Sequence, residues 1–287
     1  MAHVRPMRED DIEVAYMVAS LALADSEQEV LDRSPEEKER YISRFYHYLD
    51  HDPNGSFVAT DEDGEVVGVS VALLRDGLWV LALLAVSEAA RRGGCGRDLI
   101  KHALDYGGDS MESMIAASTH PAAMRTYSNS GFVLHPTFTA KGKVRRENVP
   151  LDLGVRDGDA SDLDLAARVD RQLRGAAHGP DLKNILSGGA RMLVVEEAGG
   201  EGYAFFHGDS LWLLGATDDS VAARLLWAYL AACDPESNLE VRWITARQNW
   251  AVRVVLAAGL NLHPDGPICV KGDPGPLAPY LPSGSFL

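Results

Sequence analysis

The sequence predicts an α/β (α+β) chain of two domains, each a mixed, mostly antiparallel sheet flanked by helices. Three observations carry this. An apolar run, Leu78–Val86, enters a turn holding Gly93, Gly94 and Gly96 and leaves it as a helix. Two strand-like segments, Phe57–Thr60 and Glu65–Leu74, flank the turn Asp61–Gly64 as an antiparallel hairpin. The same order of signals returns once, at a period of roughly 130–150 residues, which means a duplicated domain rather than a solenoid of short repeats.

Taken in order, Val4–Asp11 reads as a short strand and an acidic helix start, with a helix from Asp10 to about Leu23. Ser34-Pro35-Glu36-Glu37 begins the next helix, with serine as N-cap, proline at the first helical position and Glu37 completing a capping box. That helix runs to near Asp50 and carries Tyr41, Phe45, Tyr46 and Tyr48; Tyr41 and Phe45 share a face. After the hairpin come the strand Leu78–Val86, a helix over Arg97–Tyr106, a strand over Ile115–Thr119 and a closing strand over Phe138–Val144. Charged, turn-rich sequence around Lys141–Pro150 closes the unit, which sets the domains at residues 1–148 and 149–287.

Composition narrows the function classes. The formal net charge of −15 argues against a nucleic-acid partner, which calls for a basic face. It suits either a cationic amine drawn to an acidic surface or plain solubility. No apolar leader opens the sequence, and no uncharged apolar run reaches the ~18 residues of a spanning helix, so no membrane partner is expected. Cys95, Cys233 and Cys269 have neither disulfide-framework nor zinc-site spacing, so the expectation is no metal and a reducing, cytoplasmic location.

The glycine turn carries the chemistry. Glycines let backbone N–H groups close on a ligand, and the helix N-terminus behind them favours negative charge. Arg91, Arg92 and Arg97 add cations around the same turn. This reads as a pyrophosphate cradle. A Walker-type loop needs Gly-Lys-Ser/Thr, but Gly96 is followed by Arg97-Asp98; the dinucleotide fingerprint needs a glycine where Leu99 stands. The pattern present, Arg91-x-x-Gly94-x-Gly96, resembles the acetyl-CoA pyrophosphate loop of the GNAT superfamily of acetyltransferases. A second stretch, Ser118–Phe132, adds to it. There a strand leads to a polar residue and a short helix ending in Tyr127, with Gly131-Phe132 four residues on. His120 stands where the family usually has asparagine.

The resemblance implies a central sheet that splays beside Leu78–Val86. It implies that Leu84, Ala85 and Val86 pair through their backbone with the pantetheine arm, and that His120 contacts that arm. Arg91, Arg92, Gly93, Gly94, Cys95, Gly96 and Arg97 would hold the pyrophosphate, and Tyr127 would protonate the leaving thiolate. The implied reaction is direct attack of a small-molecule amine on acetyl-CoA, with no metal. Such a reaction also needs a base and oxyanion stabilisation. Leu78–Val86 has no carboxylate, and Glu88 follows the strand; a water relay, His120, Asp25 or Glu27 are the alternatives. For Cys95, a small side chain packed in the loop outweighs a nucleophile. The missing base leaves a second reading open, a non-catalytic protein that binds acyl-CoA or a small ligand.

The second half repeats the first without these parts. Val155–Leu163 echoes Val4–Ile12, Arg191–Glu197 and Gly202–His207 echo the hairpin, and Leu211–Gly215 replaces the strand before the loop. Where the glycines should follow, the sequence is Ala216-Thr-Asp-Asp-Ser-Val-Ala-Ala-Arg224, so two aspartates meet the position of a phosphate. Val255, four residues before Gly259, takes the place of the tyrosine. This half resembles the degenerate C-terminal unit of tandem GNAT proteins, with one cofactor site per chain implied. The Pro- and Gly-rich tail from Gly272 is neither helix nor central strand; its Leu277, Tyr280, Leu281, Phe286 and Leu287 suggest a strap lying on another surface. In some tandem members a terminal carboxylate reaches the active site, which sets a further expectation for this tail. The duplication allows a monomer that is internally a pseudo-dimer, or a homodimer.

Overall fold

The computed structural model describes residues 2–24, 26–91, 93–108 and 112–287. Contacts group the chain into two compact units: Met1–Leu74 with Trp79–Met111, and Arg75–Leu78 with Glu112–Leu287.

In the first unit, β1 (His3–Pro6) leads into α1 (Ile12–Leu23), α2 (Glu27–Leu31) and α3 (Pro35–His51). Ser34 accepts from Glu37 N while Glu37 accepts from Ser34 N, the capping box expected from the sequence. β2 (Ser56–Thr60), β3 (Val66–Arg75) and β4 (Leu78–Val86) follow, then α4 (Cys95–Gly107). β1 and β2 pair antiparallel, as do β2 and β3. α1 buries Ile12, Ala15, Tyr16 and Ala19; α4 buries Leu99, Ile100 and Ala103. The Trp79 indole, fully buried, donates to Ala103 O at 2.8 Å. Leu99 and Cys95 close a small core with Ala59, against which Val4, Phe57, Leu84 and Val86 pack. This core supports the glycine turn from beneath.

The second unit contains β5 (Glu112–Ala116), α5 (Pro121–Asn129), β6 (Val133–Gly142), β7 (Arg156–Gly158), α6 (Leu163–Arg174) and α7 (Pro180–Ser187). It continues with β8 (Arg191–Glu197), β9 (Gly200–His207), β10 (Ser210–Ala216), α8 (Asp219–Ala232), β11 (Leu239–Thr245), α9 (Asn249–Ala257), β12 (Asn261–Lys271) and the two-residue β13 (Tyr280–Leu281). Strand order is β5-β12-β6-β11-β10-β9-β8-β7, with β13 on β10. α8 is apolar on several faces and buries Val221, Leu225, Leu226, Tyr229 and Leu230 against the sheet and α9.

Two features of that order differ from the sequence reading. The strand expected over Ile115–Thr119 lies at Glu112–Ala116, because Ser118–His120 build the cap of α5 instead. The closing strand expected over Phe138–Val144 is the longer Val133–Gly142, and Pro136 sits within it where β12 bulges between Asp265 and Ile268. The larger difference is topological. β12, from the second half of the sequence, lies between β5 and β6 of the first; β6 in turn lies between β12 and β11. The two halves have exchanged their last strands, so the compact units differ from residues 1–148 and 149–287.

The duplication is visible in side-chain detail. Arg5 forms a two-point bond with Asp11 at 2.6 and 2.7 Å, and Asp11 also accepts from Arg8 N. Arg156 binds Asp162 in the same way at 2.9 and 2.6 Å, with Asp159 N in the second role. In each case the arginine bonds hold the aspartate carboxyl below its usual range, against the opposing effect of burial. A depressed carboxyl contributes stability above its unfolded value, ~3.9, and the contribution is lost as pH falls through the lower folded value. The double variant Asp11→Asn/Asp162→Asn should therefore unfold at lower denaturant than the unaltered chain at pH 7. The gap should narrow below about pH 4. Denaturant midpoints measured across that range check it, and a gap independent of pH would refute the pairing.

The tail is a strap, as expected. Tyr280, Leu281, Phe286 and Leu287 are 4% exposed or less. Its end is held by a buried polar cluster: Leu287 O lies 2.7 Å from His178 Nε2, whose Nδ1 lies 2.7 Å from Asp170, which also accepts from the Tyr203 hydroxyl. The expectation that the tail supplies a catalytic carboxylate finds no support in this arrangement, since a fully buried oxygen engaged by histidine is not a free base.

Candidate active site

β4 carries only apolar side chains, Leu-Trp-Val-Leu-Ala-Leu-Leu-Ala-Val, and near its end Leu84 and Val86 are half-buried while Ala85 is buried. Any polar contact from this strand must come from its backbone. After it, Arg91 Nε reaches back to Val86 O at 3.3 Å. Arg92 lies outside the described residues. Gly94 then adopts φ +89° as the N-cap of α4, a conformation that costs most side chains dearly. This starts the helix at Cys95, two residues earlier than Arg97, where the sequence placed it.

Glycine at Gly96 has a different reason. A Cβ there would meet Val86 at 3.6 Å, an ordinary contact, and one on Gly93 would meet Ala90 O at 3.5 Å. The protein's own packing admits a side chain at both positions. Their bareness leaves the backbone open to approach from outside. α4 also begins without a side-chain cap, so its leading amides are open to the same approach. The Arg97 side chain is 77% exposed at the same turn, 3.6 Å from Asp98. These residues fit a pyrophosphate. An open recess of about 300 Å³ beside the loop, lined by Asp61 and Glu62 as well as Arg91, Gly93 and Cys95, has the wrong charge mixture for that role.

Cys95 is 2% exposed, and burial, then the Asp98 charge, push its thiol up. A buried, protonated thiol packs; it does not attack. Among the described residues no group of three or more His, Cys, Asp or Glu side chains is arranged to hold a metal. No described helix is long and apolar enough to cross a membrane.

In the second unit, His120 is the N-cap of α5, its Nδ1 accepting from Ala122 N at 3.3 Å, with Pro121 at the first helical position. This gives a reason for histidine in place of asparagine, because either side chain can offer a capping acceptor at that position. Tyr127 lies at the end of α5 and is 5% exposed. Burial, and secondarily Cys269, raise its phenol above the ordinary value, so it stays protonated at neutral pH. Gly131, at φ +88°, turns the chain so that Phe132 N reaches Tyr127 O at 3.2 Å.

The equivalent places in the second half have been closed. α8 is capped by Asp218, which accepts from Ser220 N at 2.8 Å and Val221 N at 3.1 Å. A carboxylate of the protein already occupies the amides that the first-half helix leaves open. Gly259 (φ +91°) and the Leu260 N to Val255 O bond at 2.9 Å reproduce the tyrosine motif's backbone, but Val255 is fully buried and carries no proton.

Of the base candidates, Glu27 and Glu88 are exposed, Asp25 lies outside the described residues, and His120 has committed Nδ1 to the cap. Sequence reasoning missed a buried ion pair, Arg75 with Asp181, and the Asp170–His178 cluster, and no local signal in the sequence marks either.

The comparisons with known proteins agree with this geometry. Residues 19–132 match the model of the acetyltransferase (GNAT) family. Residues 19–132 carry the GNAT family's pattern. That match spans β4, the glycine loop and the tyrosine motif. No curated protein matches the chain by sequence. In structure it resembles a candidate acetyltransferase from Pyrococcus horikoshii, with TM-score 0.77 and 18% identity over 100% of this chain and 96% of that one. A GCN5-related N-acetyltransferase from Kribbella flavida aligns at TM-score 0.60 and 14% identity, over 94% of this chain and 72% of that one. A tandem GNAT protein from the clavulanic acid biosynthesis pathway aligns at TM-score 0.59 and 12% identity, over 94% of this chain and 98% of that one. The mixed, mostly antiparallel α/β fold is the tandem GNAT fold, and acyl transfer is the family's chemistry.

Proposed function

We propose that this chain is an acetyl-CoA-dependent N-acetyltransferase acting on the amine of a small molecule, with one cofactor site per chain. The observation that carries the reading is the contrast between helix starts. α4 is bare and glycine-lined; α8 is sealed by Asp218.

In this reading the amides of Gly94, Cys95 and Gly96, with Gly93, Arg91, Arg92 and Arg97, hold the pyrophosphate, and the Leu84–Val86 backbone and His120 meet the pantetheine arm. Acetyl-CoA supplies the thioester carbonyl that the amine attacks. Tyr127 holds a proton ready for the thiolate. The halves 1–148 and 149–287 are repeats of one ancestral domain, of which the second has become a support. The exchanged strands favour a monomeric pseudo-dimer, and three buried free cysteines suit a cytoplasmic location.

Calorimetric titration of acetyl-CoA tests the reading. One site per chain is expected, lost in Gly94→Asp/Gly96→Asp, whose carboxylates would imitate Asp218. Two sites would overturn the reading of the second half. The absence of a carboxylate on β4 favours the alternative, a non-catalytic acyl-CoA-binding protein, and binding without turnover on any amine would establish that instead.

A further inference from the structure

We propose that the tail segment Leu277–Leu281 is a built-in substitute for a pantetheine arm: it fills, in the second half, the groove that in the first half would take the cofactor. The inference rests on the reading that the Leu84–Val86 backbone and His120 meet that arm.

β10 is the counterpart of β4, and α9 is the counterpart of α5. The second match can be placed residue by residue. His120, the N-cap of α5, stands seven residues before Tyr127 and eleven before Gly131. Gln248, at the N-cap of α9, stands seven before Val255 and eleven before Gly259. Gln248 therefore holds the place of His120, but its side chain makes no cap bond to its own helix.

β10 pairs along one edge with β9. On its other edge it meets β11, parallel, at Ser210 and Glu240, and that pairing goes no further. β11 bends at Trp243, whose φ of +53° is rare for a bulky side chain, where its register on β6 shifts. The last residues of β10, Leu214, Gly215 and Ala216, are buried. Buried N–H and C=O groups left unpaired are costly, so a splayed strand end of this kind calls for a partner.

The tail is that partner. Leu281 lies opposite Leu214 and Tyr280 opposite Gly215, antiparallel, and Ala216 N donates to Pro279 O at 3.2 Å. This is the addition of a peptide strand to an open edge. Gln248 grips the same peptide at two points: Nε2 donates to Leu277 O at 2.7 Å, and Oε1 accepts from Tyr280 N at 3.0 Å. The Trp250 indole, which can only donate, gives its N–H to that Oε1 at 2.8 Å and so fixes which way the amide faces. Further along the tail, Gly284 lies against the Trp243 ring so closely that a Cβ there would collide with it. A pantetheine arm is itself an extended chain of amides, and a peptide offers the same donors and acceptors. The strand end and the helix cap, which the first half presents to a ligand in our reading, are here both engaged by one stretch of tail. With Asp218 on the α8 amides, the chain itself covers both the phosphate end and the arm of the second groove.

The test is amide hydrogen exchange on the full chain. Gly284→Leu sets a side chain against Trp243 and should push the tail out. Gln248→Ala, a milder change, removes both of its bonds to the tail. Both variants are expected to exchange about ten-fold faster or more at Leu214–Ala216, with Leu225–Leu230 in α8 unchanged. Should α8 lose protection too in Gly284→Leu, Gln248→Ala decides by the same comparison. Pantetheine, the arm without its phosphates, is then added. On the unaltered chain it should slow exchange over Leu84–Val86 and leave Leu214–Ala216 as they were; on Gly284→Leu it should slow both. Fast exchange confined to the tail, with Leu214–Ala216 still protected, would overturn the proposal. So would pantetheine that slows Leu84–Val86 but not Leu214–Ala216 in Gly284→Leu. Pantetheine without effect on Leu84–Val86 in any form would instead overturn the functional reading beneath it.

Discussion

Replacing Tyr127 by phenylalanine is expected to lower kcat by about 10²–10⁴-fold while acetyl-CoA affinity stays within about two-fold. The change removes one hydroxyl and leaves the ring in a site that is 5% exposed, so the fold has little reason to respond. In the proposed reaction, what is lost is the proton for the departing thiolate. Because burial raises the phenol, the donor keeps its proton beyond the ordinary tyrosine value, and the rate of the unaltered enzyme should not decline as pH rises through ~10 on account of this group. Rate profiles for both forms check the two statements together. A phenylalanine variant with unaltered kcat would remove Tyr127 from the reaction.

The second large effect is on stability. Asp170 is fully buried, accepts from His178 and Tyr203, and through His178 holds Leu287. Asp170→Ala would leave two polar groups without their acceptor in a site without water access. Breaking a buried pair from one side costs roughly 3–5 kcal/mol, which for a chain of this size lowers Tm by on the order of 10 °C. The tail should loosen at the same time, seen as faster proteolysis near Tyr280. A Tm within about 2 °C of the unaltered protein would show that the cluster is not what fastens the strap.

How much of this was legible beforehand depended on distance along the chain. The cap at Ser34, the hairpin turn at Asp61–Gly64, the strand Leu78–Val86 and the glycine loop are set by neighbours a few residues apart, and local chemistry announced each of them. The start of α4 was misplaced because Gly94 caps in a conformation that only its φ reveals. The strand after α4 is placed too late in the sequence because Ser118 and His120 belong to the cap of the next helix. The Arg75 pairing left no local mark, since its partner lies 106 residues away. Strand exchange left no local mark at all. β6 and β12 have the same alternation whichever neighbours they choose, so periodicity places them in a sheet without saying whose.

That exchange decides how this chain could have changed over time. Once the closing strands of two copies are interleaved, neither copy can be deleted without unpairing the other. The second half can therefore do without such glycines and a tyrosine, but it cannot be removed. Fragments 1–148 and 149–287 made separately should each be left with an open sheet edge, and mixing them offers each the strand it lacks.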